Sequence, residues 1–261
     1  MGKLSSVGRI FFGIAMMGMG FQSIYYHDFP YMLIPPKHSW IPGLAILAYI
    51  SGALLILVGA CIAFGKKVRP ISLVLGIVLL LIFCFYFIPY QLFATNKYLD
   101  FGEWENAEKE LALAAGVFVI AGCFSEKKEN RFMSLLARLI PLGAIIFSIT
   151  ILCFGTDHFL YAKDTADYMP LWVPLPLFWV YFAGAALIAS GIGIILNIKR
   201  RLSATLLGTM IFIWVIILHI PKAIANPFEG RGGEVTSTFL ALAYSGIAFA
   251  IAGTANKQKV S

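Results

Sequence analysis

The chain is organised as eight long apolar stretches separated by short polar ones. They lie near residues 9–27, 43–64, 70–92, 109–124, 135–155, 175–197, 202–224 and 236–254. A helix crossing the hydrocarbon of a bilayer needs roughly 20 apolar residues, so each stretch is close to the required length. The fourth is the weakest, because Glu108, Lys109 and Glu110 load its start. The pattern predicts an all-α membrane protein with eight transmembrane helices.

Composition points the same way. Of 261 residues, 60% are hydrophobic and only 13% are charged, whereas soluble domains carry about a quarter charged residues. A soluble protein this apolar would expose large greasy patches, but in a bilayer outward-facing Leu, Ile and Phe are normal.

The net charge of +7 does not mark a nucleic-acid binder, because the basic residues sit in short clusters between apolar runs, as in Lys66-Lys67-Val68-Arg69 and Lys199-Arg200-Arg201. Such clusters report topology. On one side of the spans lie 14 Lys and Arg, namely Lys3, Arg9, Lys66, Lys67, Arg69, Lys127, Lys128, Arg131, Arg138, Lys199, Arg200, Arg201, Lys257 and Lys259. The other side holds 6: Lys37, Lys97, Lys109, Lys163, Lys222 and Arg231. The positive-inside rule makes the first side, with both termini, cytoplasmic. All acids except Glu126 and Glu129 fall on the outer side, as do the longer loops rich in Pro, Tyr and Trp. The expected location is the bacterial cytoplasmic membrane.

Lys3 and Arg9 ahead of an apolar stretch resemble a secretory leader, but the counterpart stretch in the second half is internal, so the first is read as a retained helix. Cys61, Cys84, Cys123 and Cys153 lie in or at the ends of apolar segments without a Cys-x-x-Cys pair or a His at metal-ligand spacing. They read as small buried hydrophobes, and no metal site is expected.

The two halves of the chain resemble each other. Tyr49-Ile-Ser-Gly52-Ala-Leu-Leu-Ile56 returns as Tyr181-Phe-Ala-Gly184-Ala-Ala-Leu-Ile188, Gly76 matches Gly208, and Pro89 matches Pro221. Glu103 to Gly122 aligns without gaps on Glu234 to Gly253. Each half holds an even number of spans, so the halves have the same orientation and form a parallel repeat. The expected units are residues 1–124 and 135–261, joined by a cytoplasmic linker at 125–134. The repeated glycines suit close helix contacts, and Pro89 and Pro221 should kink the third and seventh spans near their outer ends.

With the unit isolated, the chain resembles the DoxX-like membrane proteins. The resemblance rests on Gly8-Arg9 opening the first span and Ala137-Arg138 the fifth, a polar outer end, Tyr-x-x-Gly-Ala in the second span, and a Glu-led fourth span ending Ala-Gly. It covers nearly the whole chain, twice. It implies a four-helix unit and a connection to respiratory or sulfur redox chemistry, since some relatives are membrane subunits of quinone-linked oxidoreductases. It transfers no catalytic motif, and no motif in the chain identifies an enzyme.

Ionisable groups at the lip of a span are costly and turn inward or toward a wet cavity. Asp157 and His158 close the fifth span, and His219 and Lys222 flank Pro221 in the seventh. Glu103, Glu105, Glu108 and Glu110 precede or open the fourth, and Glu234 is the match of Glu103. His219 and Lys222, three apart, share one side of a helix, where the Lys could bind an anion or instead snorkel to headgroups. Glu110, the deepest acid, is expected to offset Lys222. Asp157 and His158, about 100° apart on a helix, are poor direct partners. Trp40, Trp104, Trp172, Trp179 and Tyr168 fit an interfacial belt.

Two functions follow as expectations. A lipophilic quinone or a lipid enters between the repeats and meets polar groups at the outer face, as part of a membrane redox system. No flavin, haem or iron-sulfur motif is visible, so electrons would need a partner protein. Alternatively the chain is a non-enzymatic subunit or assembly partner of another membrane or periplasmic protein. Transport ranks third, because no charged midplane pathway appears.

Overall fold

A computed structural model describes residues 2–31, 33–34, 42–95, 97–126 and 129–255. Lys37, Lys127, Lys128, Lys257, Lys259 and Trp40 therefore lie outside the described residues. Every apolar stretch forms a helix. In chain order the helices are α1 (Lys3–Tyr26), α2 (Leu44–Phe64), α3 (Val68–Ile82), α4 (Glu105–Gly122), α5 (Arg131–Ala137) and α6 (Ile140–Leu160). There follow α7 (Ala162–Asp167), α8 (Pro176–Ile195), α9 (Arg200–Trp214), α10 (Ile220–Ala225) and α11 (Gly233–Thr254). Two π-helical turns, Phe83–Phe87 and Tyr90–Ala94, carry the third span onward from α3, and a third, Val215–His219, joins α9 to α10.

Among the described residues, seven helical segments are long and apolar enough to cross a membrane. The expected eighth, α4, is the exception. Its 18 residues would reach about 27 Å, but Glu105, Glu108, Lys109 and Glu110 occupy its first two turns. Its packing explains why such a sequence still forms a helix. From Ala112 to Ala121 every residue of α4 is buried, so protein surrounds it and lipid does not. Its composition fits that place, since small Ala and Gly side chains let neighbouring backbones come close.

α4 and α11 form the centre. α4 packs on α3, α6 and α11, and α11 packs on α1, α9 and α4. Around them α1 pairs with α2, and α6 pairs with α8. Glycines set these pairings. A Cβ added at Gly13 would meet the Gly59 carbonyl at 2.6 Å, and one at Gly20 would meet the Gly52 carbonyl at 2.5 Å. Between α6 and α8, a Cβ at Gly155 would meet Gly184 carbonyl oxygen at 3.0 Å. Gly76 lies under the ring of Phe118, and Gly208 lies under that of Phe249. The exposed faces of the outer helices are greasy, with Leu57, Phe85 and Phe178 turned outward.

Each of the two matched prolines sits just after a π-helical turn. Pro89 follows the first π turn by two residues, and Pro221 follows the Val215–His219 turn by two. A wider turn absorbs the missing N–H and the ring clash that an α turn would suffer. In the segment between the expected units, Asn130 caps α5 by accepting the Met133 N–H at 2.8 Å. Arg69 pairs with Glu129 and donates to the Phe124 carbonyl at 2.9 Å, closing the end of α4. The bundle thus has a basic end, at residues 65–69, 129–138 and 196–201, and an acidic end opposite.

Candidate functional site

At the acidic end, ionisable side chains from several elements converge. α4 brings Glu105, Glu108 and Lys109 on neighbouring turns. Lys109 Nζ lies 2.7 Å from Glu105 Oε1 and 5.4 Å from the centre of the Tyr31 ring. Tyr31 in turn meets Ser237 of α11, hydroxyl to hydroxyl, at 3.0 Å. α6 runs on to Leu160, five residues past the expected limit, and so carries Asp157 into the same group. Glu108 lies within electrostatic reach of Asp157, Cys153, Glu105 and Lys109.

These acids are incompletely satisfied. Glu108 Oε2 and both oxygens of Asp157 are buried without a hydrogen-bond partner. His219 Nδ1, on the π turn before Pro221, is also buried and unpartnered, and its ring lies within reach of the charges of Lys109 and Lys222. Buried polar atoms in native proteins are nearly always paired, so such a set marks a place suited to water, a proton or a ligand.

Lys222 is held differently from the expectation. Its ammonium donates to the Tyr168 carbonyl at 2.8 Å and sits 3.1 Å from the centre of the Tyr168 ring. Its nearest carboxylate is Glu234 Oε1 at 4.0 Å, and Tyr168 donates its hydroxyl to Glu234 Oε2. Burial, followed by that carboxylate, pushes the Tyr168 phenol well above its ordinary range. The proposed Glu110 to Lys222 pairing does not form. Glu110 is wholly buried in the core with both oxygens unpartnered, and Lys222 is engaged by Tyr168 and Glu234.

The remaining sequence candidates separate. Glu103 stands apart, 3.4 Å from exposed Lys97, with its carbonyl accepting from Gln91. His158 bonds through Nδ1 to the Phe154 carbonyl at 2.7 Å and packs against Gly184 of α8. Asp157 and His158 thus diverge, as expected for adjacent helical residues. The polar cluster gathers Asp157, His219, Lys222 and Glu234, and leaves Glu103, His158 and Glu110 outside. Lys109, Tyr31 and Tyr168 join it. In the sequence Lys109 contributes to the topology count and Tyr168 fits the belt; the signal that could have found the Glu105–Lys109 pair is its spacing of four on a helix.

A second feature is apolar. A crevice of about 650 Å³ lies between α8 and α9, bounded toward the acidic end by Trp172, Trp179 and Trp214 and deeper by Ala189, Leu206 and Met210. None of its lining residues belongs to the polar cluster. Among the described residues, no three His, Cys, Asp or Glu are placed to hold a metal ion.

No family model matches the chain, and neither does any curated protein or solved structure compared with it.

Proposed function

We propose that the chain spans the membrane eight times, as two tandem parallel four-helix repeats of DoxX-like type, and binds a lipophilic molecule of the quinone or lipid class. The repeat reading is supported by matched contacts. α1 on α2 corresponds to α6 on α8, α3 on α4 to α9 on α11, and α4 on α6 to α11 on α1. The Gly76–Phe118 and Gly208–Phe249 contacts correspond in the same way. In this reading α4 is the fourth span, sheltered from lipid by its neighbours, the basic end faces the cytoplasm with both termini, and the membrane is the bacterial cytoplasmic membrane.

The crevice between α8 and α9 carries the ligand reading. A concave site of this size, lined almost wholly by apolar and aromatic side chains, suits a drug-sized or larger lipophilic molecule. Its tryptophans offer flat, amphipathic surface near the expected membrane interface. A quinone held there would take part in redox chemistry only with a partner protein supplying electrons.

The test is mass spectrometry of lipophilic molecules that co-purify with the full chain, against an extract of membranes lacking it. Ala189→Trp fills the crevice, and a His219→Ala, Lys222→Ala double variant alters the polar end. A quinone or a defined lipid enriched in the wild type and depleted by Ala189→Trp supports the reading and tells the two classes apart. No enrichment over the control removes its support and favours the subunit or assembly-partner reading.

A further inference from the structure

Glu110 is the most enclosed acid in the molecule. Its side chain is 0% exposed, and neither carboxyl oxygen has a hydrogen-bond partner. It lies one residue past Lys109, hence about 100° around the helix from it. The titratable and charged groups near it can be named element by element. α11 brings Tyr244, whose hydroxyl donates to the Lys109 carbonyl at 2.7 Å and lies within electrostatic reach of Glu110, Glu105 and Glu108. α4 itself brings Glu105, Glu108 and Lys109. α6 brings Cys153 and Asp157, which face Glu108. The buried residues of α1, of α3 and of its two π turns include no ionisable side chain.

No cation among the described residues pairs with Glu110, and Lys109 and Lys222 are engaged elsewhere. A carboxylate enclosed without donor or counter-ion is among the costliest groups a protein can bury, whereas the neutral acid is tolerated. Packing does not demand a carboxyl here. In the gapless alignment of the two halves, Glu110 corresponds to Ala241, which is buried in α11 at the equivalent place. The shared framework accepts a methyl group at this position, so the acid is an addition specific to the first half.

We infer that Glu110 is a proton-binding site within the bundle, whose carboxyl exchanges its proton with water at the acidic end by way of Glu108 and Asp157. The step is acid–base only: a carboxylate takes up one proton and the acid returns it, with no change in oxidation state. Glu108 and Glu110, two apart, point to different sides of α4, and the link between them is Tyr244, which lies within electrostatic reach of both; Glu108 in turn lies within reach of Asp157, and both of these acids carry buried, unpartnered oxygens. The site is separate from the α8–α9 crevice, so its success or failure is independent of the lipophile.

The experiment is infrared difference spectroscopy on the full chain in lipid vesicles, stepped in pH and transferred from H₂O to D₂O. The expected result is a protonated-carboxyl C=O band that shrinks reversibly as pH rises and shifts in D₂O. Glu110→Gln abolishes this band, and Glu110→Asp displaces it without abolishing it. A Glu108→Gln, Asp157→Asn double variant keeps the band and slows its shift in D₂O. A band that survives Glu110→Gln overturns the assignment to Glu110, and an unchanged D₂O shift in the double variant overturns the route. If Glu110→Gln does not fold, the wild type still decides, because the absence of any carboxyl band responding to both pH and D₂O overturns the proposal.

Discussion

Lys222 is held from three directions, by a carbonyl, a ring face and a carboxylate, and Tyr168 supplies two of them. The Tyr168 hydroxyl also donates to Glu234, so one tyrosine in the loop after α7 ties α10 to α11. Tyr168→Phe removes the hydrogen bond to Glu234 and leaves the ring over Lys222. It should lower stability by about 1.5–3 kcal/mol, the range for a hydrogen bond to a charged acceptor, read by thermal unfolding in detergent. The loss should also depend on pH. The phenol's pKa is raised in the folded protein, so the folded state keeps a proton that the unfolded state sheds above about pH 10. Its contribution is complete below that pH and is lost as pH rises further toward the folded value. Wild type and variant should therefore converge in stability above about pH 10, and a gap that stays constant or widens there would show that Tyr168 acts by packing alone. The sequence marks Lys222 and Glu234 as costly groups at span ends but places Tyr168 only in the interfacial belt, because aromatic residues in loops flanking spans are common and their orientation depends on tertiary packing.

Among the elements, the helices themselves were legible because hydrophobic length is a one-dimensional property, and seven of the eight expected stretches form helices that meet the requirement for crossing. The case of α4 is different. Its charged start reads as a weak span when each helix is judged alone, whereas its burial by α3, α6 and α11 is set by non-local contacts. The glycine positions were visible, and the contacts they make were not assigned until the helices were paired. At Gly52 the α1 backbone, and at Gly184 the His158 Cβ and Phe159 ring of α6, come too close to admit a side chain without movement. Gly52→Leu and Gly184→Leu should each destabilise the fold by about 1–3 kcal/mol or more, the usual cost of overpacking. Leu57→Ala on the exposed face of α2 should cost much less. Equal losses at all three positions in a detergent-unfolding series would mean that the close contacts are not what joins these pairs.

For the whole molecule, the decisive question is whether α4 crosses the membrane. Eight crossings put both termini on one side, whereas seven put them on opposite sides and reverse every segment after α3 relative to the first half. The proposed repeat offers a physical reason for eight: α11, which that proposal matches to α4, has Glu234 in its first turn and meets the requirement for crossing, while α4 is likewise central and differs mainly by Glu108, Lys109 and Glu110. Those charges lie in its first two turns, near the acidic end, where Lys109 is paired with Glu105 and the acids can be neutral, so the remaining apolar turns need no further compensation to pass through protein. Single cysteines at Lys97 and Ser125, in a background with Cys61, Cys84, Cys123 and Cys153 changed to Ser or Ala, bracket α4. With eight crossings, an impermeant thiol reagent applied to intact cells labels Lys97→Cys, while Ser125→Cys reacts only after the cells are opened. With seven, both react from the same side. Adding Arg201→Cys and Lys163→Cys locates the second half: the eight-span arrangement places 201 with 125 and 163 with 97, so the four labels together fix the orientation of both halves, and any other partition rules out a parallel repeat.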